Sequence, residues 1–218
     1  MKFILIVATG RSGSTTLQRI INTIPNSNIV GENWGAIANL LESYRNLKKT
    51  LKFSPGYVQG TKKILYTYEQ IIDKKIKPAW YNCFDIDILK KNFQDLIIAI
   101  LENKQENTVL GFKGIRWYDN ISLLAVFIEL FPNTRIICHI RENIKEQCTS
   151  GWWKETDFDF LTGYNNQLRE YALQSEIAYF FSFEKMFEVS EITDLFLFLE
   201  ETLDLVQYKT ILSSNFTE

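Results

Sequence analysis

The chain has 218 residues, of which 46% are apolar and 23% charged, and this composition specifies a folded globular protein with room for one sizeable α/β core and no obvious second domain. A formal charge of −2 gives no overall attraction for nucleic acid or an anionic membrane, so any anion site has to be local. Three cysteines, Cys83, Cys138 and Cys148, are too few and too scattered for a disulfide framework or a zinc cluster, which fits a reduced, cytoplasmic setting.

The first element is an unbroken apolar run over residues 3–8, the pattern of a parallel strand buried on both faces. It is too short to span a bilayer, and it leads into Gly10-Arg11 without a cleavage site, so it reads as a strand and not as a signal peptide. Gly10 and Gly13 then bracket Arg11 and Ser12, and Ser14, Thr15 and Thr16 open a segment with apolar residues at helical spacing over 17–24. A strand that empties through two glycines into a helix start aims several backbone N–H groups at one spot, backed by the positive end of the helix dipole. That spot suits a phosphate. A nucleoside-triphosphate loop would read G-x-x-x-x-G-K-[ST]; here the glycines stand three apart, Gly13 is followed by Ser14, and the cation sits inside the loop at Arg11. Arginine offers a planar fork of donors matched to phosphate or sulfate oxygens.

A turn at 25–28 and a short strand at 29–30 lead to Gly31-Glu32-Asn33, with Asn33 as expected cap of a helix over 36–47. Residues 48–84 are rich in lysine and aromatics (Phe53, Tyr57, Tyr66, Tyr68, Trp80, Tyr81, Phe84), with Pro55-Gly56 and Pro78 as breakers; they read equally as an acceptor-pocket lining or as a covering layer. From Asp85 onward Ile86, Leu89, Phe93, Leu96, Ile97, Ile100 and Leu101 recur at three- and four-residue steps and predict one apolar helix face. A strand at 108–112 precedes Lys113, and Asp119 or Asn120 is expected to cap an apolar helix that Pro132 ends. A second unbroken apolar strand at 134–140 delivers Arg141. Helices are expected over 142–153 and 158–174, a strand over 178–183, and a closing helix over 192–205. Alternating strands and helices predict an α/β fold, a parallel sheet with helices on both faces and ligands at the carboxyl ends of its strands.

Arg141, followed by hydroxyls eight and nine positions on at Thr149 and Ser150, puts a cation and O–H donors around a second anion. Taken alone, Arg141 also reads as a partner of Glu142 or Glu146. His139, the only histidine, shares a strand face with Arg141 but lies deeper, and reads as a buried, hydrogen-bonded core residue.

Strand, G-R-S-G-S-T-T and helix together resemble the 5′-phosphosulfate loop of sulfotransferases that use PAPS (3′-phosphoadenosine 5′-phosphosulfate), especially the carbohydrate and tyrosylprotein branches. Arg141 with Thr149 or Ser150 is similar to their 3′-phosphate element. Residues 111–117, GFKGIRW, resemble the bacterial G-F-K-E-I-R segment with Gly114 in place of glutamate, and 183–186, FEKM, resembles Y-E-D-L. The resemblance implies a single-domain P-loop-like sulfotransferase fold over 1–218, with a variable insertion at about 48–107. It implies sulfuryl transfer from PAPS to an acceptor hydroxyl, a sugar first and a tyrosine or small molecule second, with PAP as product. Gly10, Arg11, Ser12, Gly13, Ser14, Thr15, Thr16, Arg141 and Thr149 or Ser150 would hold the nucleotide. Glu32, in a G-E like that of the glutamate base in those branches, would take the acceptor proton. Arg11 and Lys113 would stabilise the transferring group, although Lys113 also reads as a lysine reaching solvent. No metal and no membrane span are expected. A nucleotide kinase with an atypical loop and a non-catalytic PAP-binding protein are the rival readings.

Overall fold

The computed structural model describes residues 1–51, 68–73, 84–104, 106–117 and 120–214. Five strands, β1 (Lys2–Ala8), β2 (Ser27–Val30), β3 (Val109–Gly114), β4 (Thr134–Ile140) and β5 (Ala178–Ser182), are interspersed with nine α-helices among the described residues. These are α1 (Ser14–Ile21), α2 (Ala36–Leu51), α3 (Tyr68–Asp73), α4 (Ile86–Leu101), α5 (Leu123–Leu130), α6 (Ile144–Cys148), α7 (Phe158–Leu173), α8 (Val189–Phe198) and α9 (Leu205–Ser213). The chain divides into two compact units, Met1–Gly35 with Leu101–Ile121 and Phe131–Glu218, and Ala36–Ile100 with Ser122–Leu130.

The first unit contains the sheet, ordered β2-β3-β1-β4-β5 with every pairing parallel. β1 lies between β3 and β4, and its side chains from Phe3 to Ala8 are buried on both faces of the sheet, which explains why its sequence shows no polar alternation. On one face Ile4, Ile6 and Ala8 pack with Leu17, Ile20 and Ile21 of α1, Ile192, Leu195 and Phe196 of α8 and Tyr208 of α9. On the other, α7 lies against β4 and β5, with Arg169 over the Phe180 ring at 4.4 Å. Helices on both faces of a parallel sheet are the architecture expected from the sequence. All five carboxyl ends meet one edge, which receives the residues after Ala8, Val30, Gly114, Ile140 and Ser182.

Gly111 is where this sheet tolerates no side chain. Its register partners are Ile4 and Ile29, and a Cβ built on it would strike the Ile4 carbonyl. The obstacle is backbone of the central strand, which cannot step aside. Gly111→Ala is expected to lower unfolding stability by about 3 kcal/mol, measured by chemical denaturation.

Several elements depart from the sequence pattern. α2 begins after Gly35, so Asn33 is not its cap, and it runs on to Leu51 because Ile37, Leu41, Tyr44 and Leu51 continue its buried stripe past the lysines. The face predicted for α4 is only partly covered: Ile97 and Leu101 are buried, whereas Leu96 and Ile100 are 46% and 38% exposed. In this second unit Tyr44 packs on Phe93 and meets Glu129, which also pairs with Lys48. α5 starts at Leu123, later than Asn120; Asp119 and the aromatics Phe53, Tyr57, Tyr66, Trp80 and Tyr81 lie outside the described residues.

The helix expected over 142–153 is five residues long. Thr149 and Ser150 turn their hydroxyls back onto the carbonyls of Glu146 and Gln147 at 2.8 and 2.7 Å, and Gly151 takes φ 82°, so the chain leaves the helix there. The closing helix is two helices. Glu200 has φ 57°, and Asp204 caps α9 by accepting from the N–H groups of Val206 and Gln207. Lys2 donates to the Leu199 carbonyl at 2.8 Å and meets Glu201 at 2.6 Å, placing positive charge at the end of α8. Among the described residues no helix is long and apolar enough to cross a membrane.

Candidate active site

The loop between β1 and α1 is built by two residues in left-handed conformation, Arg11 at φ 61° and Gly13 at φ 79°. Gly13 precedes the first turn of α1, and its carbonyl accepts from the N–H groups of Thr16 and Leu17. A Cβ at this position would run into the Phe183 ring, so both conformation and space require glycine. The remaining N–H groups of the first turn have no intrahelical partner by construction.

The loop is fastened from behind by the end of β4 and the segment that follows it. His139 is fully buried with Nε2 2.7 Å from the Ser12 carbonyl, which only accepts, so the imidazole donates from Nε2. Gln147, also fully buried, donates through Nε2 to Thr9 Oγ1 at 2.8 Å and to the Gly10 carbonyl at 2.6 Å. Trp153 Nε1 donates to the same carbonyl at 2.7 Å. Ser12 turns its hydroxyl to the Thr9 carbonyl and is completely buried. Gly10 and Ser12 therefore shape the loop from inside and do not face the cavity it borders.

Burial pushes the His139 imidazole down to about 4 despite its backbone partners. The unfolded side chain titrates near 6.5, so the contribution of the neutral ring is complete above that pH and is lost as pH falls through the folded value. Melting temperature is expected to drop between about pH 6.5 and 4, with up to about 3 kcal/mol at stake, and His139→Gln should flatten that slope.

A cavity of about 490 Å³ lies at the carboxyl edge of the sheet, within the range of small-molecule sites. From the loop and α1 it is lined by Arg11, Gly13, Ser14, Thr15, Thr16 and Arg19. The β2 and β3 ends add Glu32, Lys113 and Ile115, while the β4 and β5 side adds Arg141, Ser150, Trp152 and Phe183. Four cationic side chains thus face one carboxylate.

On the β3 side, Lys113 is 9% exposed and does not reach bulk solvent; its Nζ donates to Thr15 Oγ1 at 3.1 Å and lies 3.7 Å from Glu32 Oε1. Glu32 is positioned through α1. Gln18 and Asn22 donate to the Ile29 carbonyl at 2.7 and 2.9 Å, and Asn22 accepts from the Ile29 N–H, holding the short edge strand β2 in place. Gly114, the departure from the GFKE pattern, has its reason here: a Cβ would collide with the indole of buried Trp117.

On the β4 side, Arg141 lies with its guanidinium 4.6 Å from the Phe183 ring centre and 2.5 Å from Glu146. The pairing with Glu146 and the place in the cavity coexist, and the Arg141 Nε is buried with no hydrogen-bond partner among the described residues. Glu184 of the FEKM segment braces this end by accepting from the Glu142 and Asn143 N–H groups at 3.1 Å. Burial works to raise its carboxyl, but those donors and the Arg141 charge outweigh burial and leave it below the ordinary range. Ser150 lines the cavity, whereas Thr149 is exposed and bonded back into its own helix.

Of the residues read from sequence, the structure brings together Arg11, Gly13, Ser14, Thr15, Thr16, Glu32, Lys113, Arg141 and Ser150, and leaves out Gly10, Ser12 and Thr149. Sequence reasoning passed over Arg19, Ile115 and Phe183 as cavity residues, and it set Trp152 aside because large aromatics more often pack. Arg19 carried a usable signal, since it stands one helical turn past Thr15 and so on the same face of α1.

The β-sheet and its helices match the sulfotransferase domain from the Synechococcus PCC 7002 olefin synthase with a TM-score of 0.52 at 11% identity, over 99% of this chain and 78% of that one. The sulfotransferase domain from the curacin biosynthetic pathway matches with a TM-score of 0.50 at 16% identity, over 98% and 78%. Both likenesses are of fold. No curated protein matches the chain. The profile of the Sulfotransferase family matches residues 4–195, from within β1 into α8, and by that match the chain belongs to the sulfotransferase family.

Proposed function

We propose that the protein moves the sulfuryl group of PAPS to an acceptor hydroxyl and releases PAP, that 1–218 constitutes the sulfotransferase domain with a variable insertion at about 48–107, and that it works in the cytoplasm. The observation that carries this reading is that the glycine-arginine loop and the Arg141–Ser150 segment open on one cavity, with Glu32 and Lys113 beside them. The unpartnered Nε of Arg141 is a donor that an anionic oxygen would satisfy, which is how the site fits a nucleotide carrying phosphate at both ends.

PAPS, when bound, supplies the sulfur electrophile: the acceptor oxygen forms a bond to sulfur as the bond from sulfur to the 5′-phosphate oxygen breaks. Glu32 takes the acceptor's proton. Arg11 and the N–H groups at the start of α1 hold the 5′-phosphate, where charge grows as the bond breaks, and Lys113 faces the sulfuryl oxygens. Arg141 and Ser150 hold the 3′-phosphate. A sugar hydroxyl is the favoured acceptor, with tyrosine second.

Thermal shift with PAP, PAPS, ADP and ATP tests the nucleotide. PAP and PAPS are expected to raise the melting temperature by mass action. Stabilisation by ATP with magnesium and none by PAP would replace this reading with a kinase.

A further inference from the structure

Beside the β2 and β3 ends lies a cluster that neither anion cradle uses. The Arg116 guanidinium stands 5.3 Å from the centre of the Trp34 ring and 5.8 Å from that of Trp152. Trp34 is 86% exposed and Trp152 49%, although both are large apolar side chains. Each member is tied to the cavity wall: Trp34 stands two residues after Glu32, Arg116 directly follows Ile115, and Trp152 is itself part of the lining.

The backbone holds this cluster in place. Arg116 forms an isolated bridge with Thr9 at the end of β1. Trp34 and Gly35 are both left-handed, at φ 51° and 78°, a conformation that is unfavourable for a bulky residue. Folding therefore spends free energy to present an indole to solvent. Among the described residues the Arg116 guanidinium has no ion-pair or hydrogen-bond partner, only the two indoles. A guanidinium over aromatic faces retains its in-plane N–H donors, and those donors match a carboxylate or a sulfate. An indole offers an apolar face on which the C–H side of a sugar ring can lie, with a polar N–H at its rim.

We propose that Trp34, Arg116 and Trp152 dock the acceptor and select a saccharide bearing a carboxylate or a sulfate, with its ring against an indole and its anion on Arg116. This rests on the sulfotransferase reading and adds the chemical class of the acceptor. The cationic lining of the cavity favours the same charge, and Glu32 remains the only carboxylate facing it among the described residues.

The test is equilibrium binding of methyl β-glucoside, methyl β-glucuronide and methyl β-glucoside 6-sulfate to the PAP-loaded protein, followed by tryptophan fluorescence. The two anionic glycosides, or one of them, are expected to bind at least about tenfold more tightly than the neutral one. Arg116→Gln should abolish that preference while PAP affinity stays unchanged, and Trp34→Ala should weaken all three sugars alike. Equal binding of charged and neutral glycosides, binding of none, or a preference that survives Arg116→Gln would overturn the proposal. Failure of PAP to bind would strike the sulfotransferase reading instead; the sugars are then titrated into nucleotide-free protein and judged by the same criteria.

Discussion

Glu32→Gln is expected to slow sulfuryl transfer by about 10²- to 10⁴-fold while changing PAP affinity by no more than about twofold. Glutamine keeps the shape and one oxygen of the side chain but cannot accept a proton at catalytic pH. The carboxylate Oε1 lies 3.7 Å from Lys113 Nζ, and Lys113 keeps its bond to Thr15 Oγ1 when the charge opposite is removed, so the cavity should not collapse. Single-turnover kinetics with PAPS, paired with calorimetry for PAP, separates the two effects. A variant retaining more than about a tenth of the wild-type rate would remove Glu32 from the role of base, since a loss of less than about tenfold is smaller than a positioned base contributes. A protein that binds the nucleotide without any turnover to lose would instead be a PAP-binding member of the family.

Arg141→Met is expected to weaken PAP binding by about 10- to 100-fold and to leave adenosine 5′-phosphosulfate, which lacks the 3′-phosphate, nearly unaffected. Methionine keeps the aliphatic length that packs near Phe183 and removes the charged fork. Glu146 loses its partner, but its side chain is 58% exposed, so the unpaired carboxylate stays hydrated and adds little to the loss. The contrast between the two nucleotides is the informative quantity, because a general collapse of the cavity would weaken both equally. Equal losses would move the 3′-phosphate away from Arg141.

The legible parts of this protein were those written locally. The apolar runs of β1 and β4 need no context to be read as buried strands, and they carry Arg11 and Arg141 to the edge where the cavity lies. The glycines of the loop were recognisable by their spacing, and the structure gives Gly13 the left-handed conformation that such a turn demands. Harder to read were features decided across long stretches of chain. Gln147 has the look of a surface residue in a polar helix, yet it is fully buried and donates to a loop 137 positions away. The Glu142 segment was expected to continue as helix because nothing local competes with it except the hydroxyls and the glycine at its end, and those won. Gly114 makes sense only with the Trp117 indole in view. Exposed tryptophans are equally invisible to periodicity, since a sequence cannot say that Trp34 faces water while Trp117 is buried.

The bonds from His139, Gln147 and Trp153 to the Ser12 and Gly10 carbonyls bind the segment carrying Arg141 and Ser150 to the loop carrying Arg11. If the two segments hold the two phosphates as proposed, these bonds make them jaws of one caliper whose gap is set by protein contacts and not by the guest. A caliper measures length: a guest with anions at the matching separation fills both jaws at the entropic expense of one, and a guest charged at a single end gains nothing from the second. Discrimination among adenine nucleotides would then reside in the stiffness of three neutral donors that never touch the guest.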